Sequence, residues 1–250
     1  MLHRLLAVSF VAATTSFLLA LQSIGADAGK PLPSSPASSG ASNDFSLLFP
    51  KDGIPEGWVV RNWDDVKNSP KDSVKWRVKD GVLHGSDPRG TWLLSEKEYG
   101  DFVLEFEWRL GGQGNSGTAL RAPLFGDPAF DGMELQMVDR NYYPATMEVT
   151  PAELTGSLYK AVAPQIQAYK PGEWNSYHIT CRGSKVTVIL NGKTILDVNL
   201  DEEKKPTQRH DGSDAPPLRL RPRRGHIGFQ ELSRGGGHVE IRNARLKVLD

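Results

Sequence analysis

The chain has 250 residues, 38% of them apolar, which suits one large domain or two small ones with a sizeable core. Its 30 Lys and Arg balance 30 Asp and Glu, so the overall charge gives no reason to seek nucleic acid or an anionic membrane. The 25 Gly and 17 Pro point to many turns between short strands and away from a helical bundle.

Residues 1–28 read as a signal peptide. Met1 to Arg4 make a basic start, residues 5–21 are apolar or small and uncharged, and Ala26 and Ala28 fit the small-x-small cleavage rule. The apolar run is about 17 residues, at the lower limit for spanning a bilayer, and Thr14, Thr15 and Ser16 interrupt it. No Cys lies nearby to take a lipid. The expectation is therefore an exported protein, periplasmic or extracellular, with no stable membrane anchor. Residues 29–43 are rich in Pro and Ser and predict a disordered tether. A single folded domain then runs over 44–250. The one cysteine, Cys181, cannot form an internal disulfide. It alternates with Tyr177 and Ile179 and reads as a small buried apolar residue.

Strand signals dominate the stretch from 57 to 249. "GWVVRNW" (57–63) is a short apolar run. "VKWRVKDGVLHG" (74–85) predicts two strands joined at Asp80-Gly81, a type I′ pair. "SEKEYG" (95–100) suggests one helical turn. "DFVLEFEWRL" (101–110) alternates most clearly: Phe102, Leu104, Phe106, Trp108 and Leu110 share one face, and Val103, Glu105, Glu107 and Arg109 the other. Asn115, Ser116 and Gly117 read as a tight turn before the strand 117–122. In the strand 132–138, Met133, Leu135 and Met137 alternate with Glu134 and Gln136. "TPAEL" (150–154) has Thr150 as a helix cap with Pro151 at the first helical position. Residues 176–200 predict a three-strand meander with turns at Gly183-Ser184 and Asn191-Gly192. Strands at 225–232 and 237–249 close the chain, the last with a parity change that predicts a bulge near Asn243-Ala244. About a dozen short strands and no repeat indicate an all-β fold, a two-sheet antiparallel sandwich of the jelly-roll kind. Two long stretches, 122–132 and 140–175, flank the Glu134 strand, and loops of that length tend to carry function.

"YGDFVLEFEWRL", "GNSGTALR", "GMELQMVD", "TGSLY", "PGEWN", "LNGK" and "GHIGFQ…VEIRNARLKVL" occur in that order. Together they resemble the 3-keto-disaccharide hydrolase family, once catalogued as DUF1080, from about Phe45 to Asp250. The resemblance implies a concanavalin A-like lectin/glucanase fold, an exported carbohydrate-active protein, and cleavage of 3-keto-glycosides by hydrolysis or by elimination then hydration. It also implies a divalent metal ion as a possible cofactor. One departure stands out. The family pattern after the penultimate-strand Gln carries an acidic residue or Asn and then His-Gly. Here Gln230 is followed by Glu231, Leu232 and Ser233, and His238 comes later.

Candidate catalytic residues are Glu134, Asp139 and Arg121. Glu134 faces away from the methionines and is either a base on an open concave face or part of a solvated strand face. Asp139 is a second carboxylate or a turn former. Arg121, taken to share a face with Ala119, is an electrophile for an oxyanion, a partner for Glu134, or half of a structural ion pair. Candidate substrate-binding residues are Gln136, Tyr159, Tyr143 and His178. A loop-delivered His is an alternative base to Glu134. Trp174 reads as core, Glu105 and Glu107 as a solvated face, and the basic segment 209–225 as a solvated loop or an anion-attracting rim. The expected partner is a glycoside or oligosaccharide. The competing readings are a non-catalytic carbohydrate-binding module and a cell-surface interaction domain.

Overall fold

The alternating stretch at 102–110 is the spine of the larger sheet. Its even-numbered side chains, from Phe102 to Leu110, are at most 2% exposed, and its odd-numbered ones are half-buried. The computed structural model describes residues 45–249. The expected signal peptide and tether lie outside the described residues.

Fifteen strands are present among those residues. They are β1 (Ser46–Leu47), β2 (Trp58–Asn62), β3 (Arg77–Lys79), β4 (Val82–His84), β5 (Thr91–Tyr99), β6 (Phe102–Leu110), β7 (Asn115–Ala122), β8 (Met133–Val138), β9 (Asn175–Arg182), β10 (Lys185–Leu190), β11 (Lys193–Asn199), β12 (Thr207–Gln208), β13 (Asp214–Ala215), β14 (Gly225–Glu231) and β15 (Val239–Val248). One short helix, α1 (Pro128–Asp131), precedes β8. An eight-stranded sheet has the order β11-β10-β9-β6-β15-β4-β3, with β1 also on β15. A five-stranded sheet has the order β2-β5-β14-β7-β8. All pairings are antiparallel, and the two sheets form the expected jelly-roll sandwich. The core between them takes Phe102, Leu104, Phe106 and Trp108 from one sheet and Leu93, Met133, Leu135, Met137, Ile227 and Phe229 from the other. A smaller apolar cluster of Val66, Trp92, Leu94, Ala119 and Ala122 covers part of the outer face of the five-stranded sheet.

The turn chemistry is as the sequence predicts. Asp80 and Gly81 have φ of 52° and 74°, and Asn191 and Gly192 have 51° and 77°, the left-handed pairs that a type I′ turn requires. The last strand shifts register between Arg242 and Arg245, with Asn243 at φ 53°. That bulge lets β4 pair before it and β1 after it on the same side of β15. Thr150 and Glu153 cap a single 3-10 turn, Pro151–Glu153. Cys181 is buried, and burial pushes its thiol up to about 12.

Several expectations change. "SEKEYG" is not helical: it continues β5, where Thr91 to Ser95 are buried between β2 and β14. Tertiary pairing overrides the local helix preference of Glu and Lys. Asn115, Ser116 and Gly117 are the first residues of β7 rather than a turn, paired with β8 from Asn115 opposite Val138. Trp174 is not core. It stands half-buried on the outer face of the larger sheet, with the Arg242 and Arg109 guanidiniums 4.0 and 5.0 Å from its ring centre. Glu105 and Glu107 do keep the expected outer, partly exposed face, where Arg245 and Arg242 pair with them across the strands.

Candidate active site

Glu134 and Gln136 point to the outer face of the five-stranded sheet because Met133, Leu135 and Met137 are committed to the core. β8 is the edge strand of that sheet, and the long loop after it returns along the free edge. Gln136 N donates to Ser157 O at 3.0 Å, Gly156 N to Gln136 O at 2.9 Å and Tyr159 N to Glu134 O at 2.9 Å. "TGSLY" therefore acts as a short added strand, which sets Tyr159 beside Glu134. Tyr143, from the same loop, donates its hydroxyl to Glu153 O.

The other long stretch folds over from the opposite side. Asp127 caps α1 by accepting from Ala129 N at 3.0 Å. Asp131 holds Arg209 through two bonds of 2.6 and 3.0 Å. This bidentate clamp brings the 209–213 turn onto the site, and His210 packs edge-on against Phe130 with ring centres 5.2 Å apart. The segment 209–225 remains largely exposed, as a solvated loop would be, but three of its arginines are engaged within the fold and do not form a free cationic rim. Arg209 is used by Asp131, Arg221 donates to Ala129 O, Gly132 O, Pro216 O and Thr207 Oγ1, and Arg223 is paired with Asp201.

The result is a cavity of about 410 Å³, within the ~300–1,000 Å³ range of small-molecule sites. Its floor is Glu134, Gln136, Asn115 and Gln230, its walls include Trp63, Asp127, Tyr143, Tyr159, Lys160 and His210, and its mouth includes Arg89, Tyr142 and Arg234. Glu134 is 3% exposed and its Oε1 has no hydrogen-bond partner; Asn115 Oδ1 also has none. The carboxyl lies in space that Gly117 leaves open: a Cβ there would stand 1.9 Å from Glu134 Oε1.

Electrostatics separates the titrating groups. Burial, with Asp127 nearby, pushes the Glu134 carboxyl well above the usual carboxylate range, which favours its protonated form. Burial pushes Asp127 up to about 7. Burial and then the Lys160 charge pull His210 below its ordinary value, so its imidazole is neutral at neutral pH. Desolvation raises the Tyr143 and Tyr159 phenols, which stay protonated as donors. A neutral imidazole and a carboxyl biased toward its neutral form thus line one cavity, a combination from which base and acid chemistry can be drawn.

Of the residues singled out in the sequence, the structure brings together Glu134, Gln136, Tyr143 and Tyr159. It does not bring Arg121, Asp139 or His178 to them. A bulge explains Arg121. Between Ala119 and Ala122, β7 carries one residue more than β14 does between Gly228 and His226. Arg121 takes φ 54° and leaves the face of Ala119. Its guanidinium is fully buried and donates to Gly100 O, Gly183 O and Asp101 Oδ1. It is a structural tie, not a partner of Glu134. Asp139 is the turn former: it caps the next 3-10 turn by accepting from Asn141 N. His178 is on the outer face of the other sheet, its Nδ1 2.7 Å from Glu105. Leu232, where the family pattern carries His, lines the cavity, while His238 lies between Glu231 and Asp87. The imidazole in the cavity is instead His210, whose clamp joins residues 78 apart in sequence. Asp127 and Lys160 are further cavity residues with little mark in the sequence. The only local signal for Asp127 is "DPAFD", an Asp cap before Pro at a helix start.

Among the described residues no three His, Cys, Asp or Glu side chains converge as a metal-ligand set, and no helix is long and apolar enough to cross a membrane.

Known proteins share this architecture. The model of the 3-keto-alpha-glucoside-1,2-lyase-like domain matches residues 44–247. The 3-keto-disaccharide hydrolase of Bacteroides thetaiotaomicron is 29% identical over 242 residues, covering 82% of each chain. A crystal structure from Parabacteroides distasonis, provisionally named a glycosyl hydrolase, is 26% identical with a TM-score of 0.65 and covers 83% of this chain and 100% of its own. A second such structure from that organism is 25% identical with a TM-score of 0.64, covering 82% and 94%.

Proposed function

Because the chain belongs to the 3-keto-alpha-glucoside-1,2-lyase-like family, and so to a family of enzymes, we propose that it cleaves 3-keto-glycosides by elimination followed by hydration. The observation that carries this reading is the pairing of a neutral imidazole, His210, with a buried carboxyl biased toward its neutral form, Glu134, in one cavity.

The chemistry starts from the ketone. A carbonyl at C3 acidifies the hydrogen on C2. His210 removes that proton, and the electron pair forms an enolate whose negative charge rests on the C3 oxygen. The enolate re-forms the carbonyl, creates the C1–C2 double bond and expels the aglycone oxygen from C1. Glu134 supplies the proton that the departing oxygen needs. Donors around the site stabilise the enolate: the Tyr159 hydroxyl and the Lys160 ammonium. Water then adds back across the double bond, giving the free 3-keto sugar, so the sum is hydrolysis. Gln136, Asn115 and the flat faces of Tyr159 and Trp63 hold the sugar ring. In the cell, the N-terminal segment directs the protein out of the cytoplasm.

The test is turnover of 4-nitrophenyl 3-keto-glucoside in D₂O. The expected result is release of 4-nitrophenol with one deuterium at C2 of the recovered 3-keto sugar. Release with C2–H fully retained would refute elimination in favour of direct displacement. Saturable binding without release would instead favour a carbohydrate-binding module.

A further inference from the structure

Two arginines at the mouth of the cavity face an aromatic ring and no carboxylate. Arg89 Nη2 donates to the Tyr142 hydroxyl at 2.8 Å, with its guanidinium carbon 5.7 Å from the ring centre. The Arg234 guanidinium carbon is 4.5 Å from the same ring centre. All three residues line the cavity. Several arginines elsewhere in the fold are neutralised, Arg209 by Asp131 and Arg109, Arg242 and Arg245 by Glu240, Glu107 and Glu105. Among the described residues, neither Arg89 nor Arg234 has a carboxylate at ion-pair distance.

The acids of the cavity do not compensate this charge. Burial biases Glu134 and Asp127 toward their neutral forms. Glu153 keeps its charge while accepting from Thr150 N and Oγ1, and the Lys160 cation on the same wall offsets it. Two guanidiniums braced on one tyrosine repel unless a counter-charge enters. Guanidinium forks match planar and tetrahedral oxyanions. Placement says which part of the substrate brings it. The deep floor around Glu134 takes the sugar whose C1 bond breaks, which leaves the mouth for the aglycone.

We propose that Arg89 and Arg234, braced by Tyr142, form an oxyanion subsite, so that the favoured substrates carry a carboxylate, sulfate or phosphate on the leaving group. This deepens the elimination reading and rests on it only for the orientation of the substrate.

The test compares the 3-keto-glucosides of 4-hydroxybenzoate and 4-hydroxybenzamide, which differ in charge at nearly constant shape. The expected KM for the carboxylate is about tenfold to a hundredfold lower at low salt. In 1 M salt, where the screening length is about 3 Å, most of that preference disappears. The double variant Arg89→Gln/Arg234→Gln brings the ratio of the two KM values close to one, whereas Arg89→Lys/Arg234→Lys keeps a preference of several-fold. Equal KM values in the unaltered enzyme, or a ratio unchanged in the glutamine double variant, would overturn the subsite. If neither glycoside turns over, calorimetric titration with 4-hydroxybenzoate, 4-hydroxybenzenesulfonate and phenyl phosphate decides the subsite separately. Binding of any of these anions that the glutamine variant loses, with 4-hydroxybenzamide not binding, supports it and ranks the oxyanions. No binding of any of them overturns it.

Discussion

Gly117→Ala tests the site without touching a reacting group. Gly117 lies on β7 opposite Gln136 and diagonal to Glu134, whose side chain crosses over it. An added Cβ would stand 1.9 Å from Oε1 and 2.6 Å from Cδ of Glu134. Non-bonded heavy atoms settle at about 3.5 Å, so the carboxyl must withdraw by roughly 1.5 Å. A displacement on the order of 1 Å at a reacting group costs about 100-fold in rate, and kcat is expected to fall by at least that. The fold tolerates the change. The obstructing atoms are the tip of a flexible side chain beside an open cavity, and Ala in place of a strand Gly favours folding by roughly 0.5–1 kcal/mol. The assay is methanol release from methyl 3-keto-glucoside, whose departing oxygen needs a proton, beside a thermal melt. Gly112→Ala, where an added Cβ meets nothing within 4 Å, serves as the control. Full activity in Gly117→Ala, with an unchanged melt, would show that the position of Glu134 does not matter to the chemistry.

Glu134→Gln keeps the shape of a group that burial already biases toward its neutral form, so activity should fall about 10²–10⁴-fold while the melting temperature at pH 8 does not fall; a matching loss of both would assign Glu134 to the fold alone. For Asp127, the folded value of about 7 exceeds the unfolded value of about 3.9, so the native state binds more protons and stability drops as pH rises from about 4 to 7. Asp127→Asn, which still accepts from Ala129 N, should therefore raise the melting temperature above pH 7 and leave it unchanged below pH 4, as melts across pH will show. Because His210 is depressed, the acid limb of kcat/KM should lie below pH 6.5, the ordinary imidazole value, and His210→Gln should remove that limb along with most of the rate; an acid limb that survives the substitution belongs to another group. Arg121→Met should destabilise the protein by about 3–5 kcal/mol in chemical denaturation, since it leaves Asp101 and two carbonyls without their donor, while kcat of the folded fraction stays within about twofold.

The sandwich was legible because its rules are local. Alternation in 102–110 and 133–138 assigns each side chain to a face, Asp80-Gly81 and Asn191-Gly192 dictate turns, and the parity change in 239–248 announces its bulge. That Glu134 and Gln136 share the outward face follows from the same period of two, as does the placing of the methionines inside. β5 escaped this reading because it is covered on both faces at Thr91–Ser95 and then runs into Glu and Lys, so its sequence shows no alternation.

The company of Glu134 was a different matter. One unpaired residue in β7 turned Arg121 from the site into a buried tie, and no periodicity reveals a bulge whose cause is the pairing partner. His210 reaches the cavity only through the bond of Arg209 to Asp131. Arg89 and Arg234 meet only on the ring of Tyr142. Face and turn are set by neighbours in the chain, whereas convergence and protonation depend on which distant groups exclude water from one another. Composition and spacing do not encode that exclusion; the closing of two sheets and two long loops does.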